Sequence, residues 1–216
     1  MSVYMTEEDQ IEAIKKWWNR YSGMFTVCLS IIVLIFSAYK YWIWHEHKIS
    51  QEASNAYEHL MLALSNQDNK KVKGFANQLI SDYSKTVYAD VAHLTLAKLD
   101  VSHEKYSDAQ KELRYVAKHS KMVALQDVAK IRLARLLVAE ESYDAALGEL
   151  ETIKNSTYLP VVSEVKGDIF AATNRDSEAL MAYRDALQAL QVDGLANLFL
   201  EMKASELEAK MHVKTN

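Results

Sequence analysis

The sequence predicts an all-α protein with one transmembrane helix near its N-terminus and, behind it, a solenoid of repeated helix pairs. Only five glycines and one proline occur among the 216 residues, so the chain lacks the turn residues that strands and hairpins require. One long apolar run lies near the N-terminus, and the rest of the chain shows amphipathic helical patterns. Together these observations favour helices throughout.

The charge and cysteine content narrow the class of function. The formal net charge is −4, and no stripe of Lys and Arg with interleaved aromatic residues is present, so nucleic acid is not an expected partner. The only cysteine, Cys28, lies inside the apolar run, so one chain can form neither a disulfide framework nor a thiolate metal site. We therefore expect helix packing to supply the stability.

A short N-terminal segment, residues 1–20, precedes the apolar run. Residues 21–39 carry no charge and are long enough to cross roughly 30 Å of hydrocarbon at about 1.5 Å per residue. Tryptophans and tyrosines collect at both ends, where amphipathic rings prefer the headgroup level. Acidic residues precede the run and no small-residue cleavage pattern follows it, so we predict an uncleaved transmembrane helix over residues 21–44. A buried core helix is the alternative interpretation.

The orientation of this helix depends on a small charge difference. Lys15, Lys16 and Arg20 flank its N-terminal end, against Lys40 and Lys48 at the other end. The excess of basic residues favours a cytoplasmic N-terminus and a periplasmic C-terminal domain. Three against two is a narrow margin, so a scaffold that faces the cytoplasm and recruits envelope-assembly or proteolytic factors remains the alternative.

Two serines within the apolar run form a candidate intramembrane contact. Ser30 and Ser37 are seven residues apart and therefore share one helix face, where small side chains allow another helix to approach closely. Simple exposure to lipid explains the same pattern.

The region behind the anchor repeats itself. The run Tyr106-Ser-Asp-Ala recurs 37 residues later as Tyr143-Asp-Ala-Ala, and Asp176-Ser-Glu-Ala follows a further 33 along. Tetratricopeptide repeats have a period of about 34 residues. We therefore predict tetratricopeptide-like units within residues 45–216, and a generic antiparallel helical bundle is the alternative.

Small residues recur where two helices of one such unit would cross closely. Twelve residues separate each of three predicted pairs, Ala97 with Ala109, Ala134 with Ala146, and Gly167 with Ala179. Larger apolar positions follow in phase and predict one buried stripe for each repeat. These positions are Leu113, Leu150 and Tyr183, and then Val116, Ile153 and Ala186.

Further helices are predicted at both ends of the repeats. A helix pair over Ser50–Leu64 and Val72–Ser81, joined by a turn over Asn66–Lys70, opens the stack. A last helix over Gly194–Met211 caps it, as terminal repeats require. One apolar face of that last helix carries Leu195, Leu198, Phe199 and Met202, and Leu207 falls outside this stripe.

Three segments together resemble a known family. They are Asp9-Gln-Ile-Glu-Ala-Ile-Lys-Lys-Trp-Trp before the anchor, Ala53-Ser-Asn-Ala-Tyr after it, and Ile131-Arg-Leu-Ala-Arg in the second repeat. Their order and spacing resemble the ancillary SecYEG translocon subunits of the YfgM type. The resemblance implies an inner-membrane protein in contact with membrane lipid, with a cytoplasmic N-terminus and a periplasmic repeat domain. It also implies three partners: the SecYEG translocon, a PpiD-type periplasmic chaperone, and exported client proteins that pass from the channel to periplasmic chaperones.

Neither a catalytic set nor a cofactor motif is apparent in the sequence. His45-Glu-His47 lies at the end of the anchor, where a helix does not bring the two imidazoles together on one metal, and the other histidines are scattered. We therefore expect a protein that is not an enzyme and that uses no metal or cofactor.

Binding is the better-founded expectation, because a solenoid presents the first helices of its units along one face. A mixed apolar and charged groove there suits an extended or helical peptide. The alternative is that Lys98, Arg135 and Asp168 only form ion pairs between neighbouring repeats. By repeat phase, the residues of this face are Val91, Leu94, Lys98, Val128, Ile131, Arg135, Val161, Glu164 and Asp168.

Overall fold

The computed structural model of this protein describes residues 7–192 and 197–215, and these residues form helices joined by short turns, without a strand. The chain divides into two compact units at Glu52 and Ala53. The all-α prediction is confirmed. The helices are α1 (Glu7–Ser65), α2 (Asn69–Asp82), α3 (Val87–Ser102), α4 (Tyr106–His119), α5 (Val123–Ala139), α6 (Tyr143–Glu151), α7 (Leu159–Ala172), α8 (Asp176–Val192) and α9 (Leu198–Thr215), with a 3₁₀ turn (Ser156–Tyr158) between α6 and α7.

Helix α1 is continuous, so the prediction of a separate helix over Ser50–Leu64 is wrong. Residues 40–52 contain no glycine or proline, and nothing in the sequence interrupts the hydrogen-bond ladder there. The predicted bounds of the anchor, residues 21–44, and of the repeat domain, residues 45–216, therefore coincide with no helix end and remain a prediction. The turn between α1 and α2 ends at Asp68. The Asp68 side chain accepts a hydrogen bond from the Lys71 amide at 3.0 Å and so caps α2.

The apolar part of α1 leaves large side chains uncovered. Leu34 is 68% exposed and Ile35 is 65% exposed. By length and composition α1 is able to cross a membrane, with a mean hydropathy of 2.0 over its most apolar window. Apolar surface of this extent is unfavourable in water, whereas acyl chains would cover it.

Four left-handed residues divide the second unit into helix pairs. Gln67, Glu104, Glu141 and Asn174 have φ angles of 54°, 59°, 58° and 60°, and each follows the first helix of a pair. Their spacings of 37, 37 and 33 residues extend the sequence repeat to a fourth pair, formed by the end of α1 and by α2. Each turn closes with the bond typical of a left-handed helix end. These bonds join the amides of Asp68, Lys105, Ser142 and Arg175 to the carbonyls of Ala63, Asp100, Leu137 and Phe170.

Close packing at the predicted small positions is confirmed in the middle units. Ala97 and Ala134 are buried, and so are the alanines opposite them in α4 and α6. The first pair distributes volume differently. Leu60 and Val72 occupy the two small positions, while Ala76 stands where the next unit has Leu113, so the larger residues lie at the crossing and the small residue lies one turn further along α2.

The last pair shows a second exchange of volume. Tyr183 is 4% exposed and fills the position that leucine holds in the two preceding units. A Cβ atom added to Gly167 would lie only 2.4 Å from the ring atoms Cδ1 and Cε1 of Tyr183. Glycine at residue 167 is therefore required by the tyrosine opposite it.

Three apolar clusters run along the second unit. Ala92 and Leu96 of α3 pack into the first cluster, with α1 and α2, while Leu94 and Ala97 of the same helix pack into the second, which reaches α7. The third cluster joins α8 to α9. Because one helix buries two faces against successive neighbours, the unit is a stack of repeats rather than a bundle around one core.

The final helix packs with a different face from the predicted one. Leu200, Ala204 and Leu207 are buried, whereas Leu198 and Phe199 are 79% and 61% exposed. Ala204 faces a cluster that contains Ala179 and Ala186, and these small residues permit a close approach that the bulkier stripe would prevent. The predicted face, which also includes the exposed Met202, is therefore wrong for this helix. Gly194 and Leu195 lie outside the described residues.

Candidate protein-binding groove

The candidate site is the face formed by the first helices α3, α5 and α7, which we call the groove. Leu94 and Ile131 are only 6% and 5% exposed, so they belong to its floor and to the core beneath. Lys98 and Arg135 are exposed, and Val91, Val128, Val161, Glu164 and Asp168 are half-buried. The groove therefore has an apolar floor and charged walls, and partner binding by these nine residues remains a prediction.

The acidic end of the groove is formed by α7. Glu164 and Asp168 lie one helical turn apart, and Lys203 of α9 contacts both, with its Nζ atom 3.2 Å from Glu164 Oε1 and 2.8 Å from Asp168 Oδ1. The Tyr183 hydroxyl donates to Asp168 at 2.8 Å. Arg135 approaches Glu164 at 3.8 Å and so forms the ion pair between repeats that was the alternative interpretation for this residue.

Through these contacts, cations of the same chain balance the two carboxylates at the acidic end. Burial lowers the pKa of the Lys203 ammonium, but hydrogen bonds and the charges of Asp168 and Glu164 outweigh burial and leave that pKa raised. Burial and the hydrogen bond to Asp168 raise the pKa of Tyr183, which therefore remains a neutral donor. Lys203 also lies 5.4 Å from the centre of the Phe199 ring, a cation–π distance.

Lys203 is the residue that sequence reasoning missed at this end. Its role depends on a contact between α9 and α7, which are separated by the whole of α8. The available signal was the pair of carboxylates one turn apart in α7, which requires a cation from some other helix. Repeat phase includes Glu164 and Asp168 in the predicted face but does not indicate that a lysine of α9 contacts both.

The other end of the groove is cationic. A pocket of about 350 Å³ opens between α3, α4 and α5, and its lining includes Lys98 and Arg132. Among the residues that the structure describes, neither cation forms an ion pair or a hydrogen bond from its side chain. The predicted face does not include Arg132, because by repeat phase Arg132 corresponds to Thr95 and Val165, which lie outside the predicted set.

Within residues 7–192 and 197–215, no cluster of three or more His, Cys, Asp or Glu side chains is placed to hold a metal ion. His93 Nδ1 lies 2.5 Å from Glu112 Oε2, and the Tyr115 ring is tilted by 31° against the imidazole with the ring centroids 4.1 Å apart. His93 is buried, so this pair serves to join α3 to α4.

The two anchor serines are both exposed on α1. The Ser30 hydroxyl donates to the Thr26 carbonyl at 2.8 Å, so its hydrogen-bonding capacity is partly used within the helix. A contact from Ser30 and Ser37 to another transmembrane helix remains a prediction.

Comparison with known proteins covers nearly the whole chain. Residues 15–209 match the family model of the tetratricopeptide repeat-like domain. The chain is 25% identical to the ancillary SecYEG translocon subunit of Neisseria gonorrhoeae, over 96% of this chain and 100% of that protein. It is 28% identical to the protein of the same name from Aggregatibacter actinomycetemcomitans, over 86% and 91% of the two chains.

A third relative extends the same result. The ancillary SecYEG translocon subunit of Escherichia coli is 25% identical over 96% of this chain and 99% of its own length. No solved structure matches the chain. The matched region extends from the first half of α1 into α9, so it includes both the apolar helix and the repeats.

Proposed function

The chain belongs to the tetratricopeptide repeat-like domain family, and from this premise we propose that it is an ancillary subunit of the SecYEG protein translocon. The observation that carries the proposal is the end-to-end match to relatives of that name, which spans the apolar helix as well as the repeats. A similarity confined to the repeats would support only a general protein-binding role. The apolar helix and the relatives' names also fit an inner-membrane protein.

The finer proposal concerns what the subunit does at the channel. It holds the repeat domain beside the translocon exit, receives exported proteins there, and passes them to a PpiD-type periplasmic chaperone. A groove with an apolar floor and charged walls suits unfolded segments, which expose apolar and charged side chains together. The protein acts by binding, not by catalysis.

The proposed topology places the N-terminus in the cytoplasm and residues 45–216 in the periplasm, with residues 21–44 in the membrane. Lys15, Lys16 and Arg20 support this direction. Protease added to intact spheroplasts tests it, because a periplasmic repeat domain is digested while the inner membrane stays closed. Survival of the repeat domain would refute the topology and favour the cytoplasmic scaffold.

Copurification tests the translocon proposal. The tagged full-length protein is extracted from membranes with a mild detergent, and SecY and the PpiD-type chaperone are quantified in the eluate. A matched control replaces residues 21–39 with an unrelated spanning helix, which separates contacts made by the anchor from contacts made by the repeats. Recovery of SecY is expected, and recovery of neither protein would contradict the proposal.

A further inference from the structure

We infer that the pocket between α3, α4 and α5 binds a segment of a partner polypeptide in which an apolar side chain is flanked by acidic residues. This inference rests on the proposed function, since it assumes that the repeat domain binds polypeptides. It adds the location of the contact and the chemistry of the bound segment.

The pocket has the form of a receptor for an apolar side chain. Its volume of about 350 Å³ lies at the lower end of the range of roughly 300 to 1,000 Å³ that is usual for ligand pockets. Leu94, Ala97 and Leu113 form the floor and are almost fully buried, so their positions are fixed by the core. Val101 is 40% exposed at the rim. An apolar side chain that enters this pocket leaves water without requiring the floor to rearrange.

The two cations at the rim of the pocket favour acidic residues on either side of the bound apolar side chain. Lys98 and Arg132 line the same pocket, and both are exposed. Some cations of the repeats are paired with carboxylates: Arg114 lies 3.6 Å from Glu149, and Lys203 contacts two acidic residues. Within the described part of the chain, Lys98 and Arg132 have no such partner. Carboxylates of a bound segment would supply one, and the guanidinium can bind a carboxylate through two hydrogen bonds.

The two ends of the groove differ in whether their charges are paired, and this difference decides the charge of the segment that the groove attracts. Lys203 and Arg135 together balance the charges of Glu164 and Asp168 from within the chain, so the acidic end offers little attraction to a basic segment. The cationic end retains unpaired positive charge in a protein whose net charge is −4. The end of the groove formed by α3 and α5 therefore attracts an acidic segment and binds it in preference to a basic one.

The test uses the full-length protein in nanodiscs of zwitterionic lipid and three fluorescent peptides. In the first peptide leucine and phenylalanine alternate with aspartate and glutamate. The second replaces its acidic residues with lysine, and the third replaces its apolar residues with serine. Fluorescence anisotropy should give an affinity for the first peptide at least about tenfold higher than for either of the others, decreasing as salt is added.

Charge reversal then locates the contact. The double variant Lys98→Glu/Arg132→Glu should lower the affinity for the acidic peptide by about tenfold or more and shift the preference towards the lysine peptide. The control variant Lys70→Glu/Lys118→Glu changes the net charge equally, on exposed lysines of α2 and α4, and should leave the affinity within about twofold. Circular dichroism should show the same melting curve for both variants, because all four residues are exposed.

Several outcomes would overturn the inference. Equal affinity for the three peptides, or an unchanged affinity after charge reversal at Lys98 and Arg132, would remove its basis. Loss of peptide binding when anionic lipid is added to the nanodiscs would identify lipid as the occupant, and binding that requires a second copy of the chain would identify self-association. SecY recovery is measured in parallel: SecY without peptide binding refutes this inference alone, and peptide binding without SecY refutes only the proposed function.

Discussion

Replacing Gly167 by alanine tests the packing account of the repeats most sharply. The new Cβ would lie 2.4 Å from two ring atoms of Tyr183, closer than any van der Waals contact allows. The ring cannot move freely, because Tyr183 is buried and its hydroxyl donates to Asp168 at 2.8 Å. Overpacking of this kind costs about 1 to 3 kcal/mol, and weakening a hydrogen bond to a charged group costs about 1.5 kcal/mol or more.

Alanine also has a favourable effect, since its helix propensity exceeds that of glycine by about 1 kcal/mol. The net loss of unfolding free energy for Gly167→Ala is therefore about 1.5 to 3.5 kcal/mol. For a domain of this size that corresponds to a fall in Tm of roughly 3 to 14 °C. Thermal unfolding of the full-length protein in detergent, followed by circular dichroism, measures the change.

Gly148 provides the matched control, because it lies inside α6 and a Cβ there would meet nothing within 4 Å. Gly148→Ala should raise stability by about 1 kcal/mol through helix propensity alone. The double variant Gly167→Ala/Tyr183→Leu recreates the Ala134 and Leu150 pair of the preceding unit. It should be more stable than the sum of the single changes predicts, by about 1 kcal/mol or more. A Gly167→Ala protein as stable as the wild type, or strictly additive changes, would refute the reasoning.

Three further features of the structure predict the effect of substitutions on stability, which thermal or urea unfolding measures. Glu104→Gly should raise stability by about 0.5 to 1 kcal/mol, because residue 104 has a φ of 59°, whereas Glu140→Gly, at a φ of −93°, should lower it. Asp127→Ala should cost less than about 1 kcal/mol, because the buried Asp127 Oδ2 has no hydrogen-bond partner, while Leu133→Ala should cost about 2 to 5 kcal/mol. The pKa of Tyr183 is raised in the folded state, so its neutral hydroxyl stabilises the fold fully below the ordinary tyrosine pKa near 10 and progressively less as the pH rises above it. Tyr183→Phe should therefore remove this part of the loss of stability at alkaline pH.

The helix pairs were predictable from the sequence because each repeat meets the same local requirement. Two helices that cross closely need small residues at the contact, and Ala134 opposite Ala146 satisfies that need in one unit without reference to the others. The apolar stripe carried by Leu150 and Ile153 follows from helical periodicity alone. Elements defined within a single repeat were therefore accessible from residue spacing.

The inter-helix turns carried a weaker signal. Left-handed helix ends are usually marked by glycine, but Gln67, Glu104 and Glu141 occupy them here, so no glycine marks these turns. The φ angles add the turn at Gln67 to the spacing of 37 and 33 residues that the sequence already shows. The continuity of α1 also differs from the prediction, because the polar residues after the apolar run change its composition without interrupting its backbone hydrogen bonds.

The last helix and the groove depended on contacts between distant parts of the chain. Two apolar stripes compete in α9, and the choice of the one that includes Leu200 and Leu207 is made by the surface of α8, which periodicity does not describe. The same docking brings Lys203 to Glu164, a contact across 39 residues. Repeat phase therefore leads to a prediction of the residues along the groove, but it does not show which of their charges are already paired.

Crosslinking in intact cells, followed by mass spectrometry of the partners, tests the central claim most directly. The claim is that one spanning helix tethers a stack of helix pairs beside the translocon, where the stack binds exported chains. The account predicts adducts between residues 53–211 and SecY, the PpiD-type chaperone and secreted proteins. Adducts dominated by cytoplasmic proteins, with none to translocon components, would contradict it.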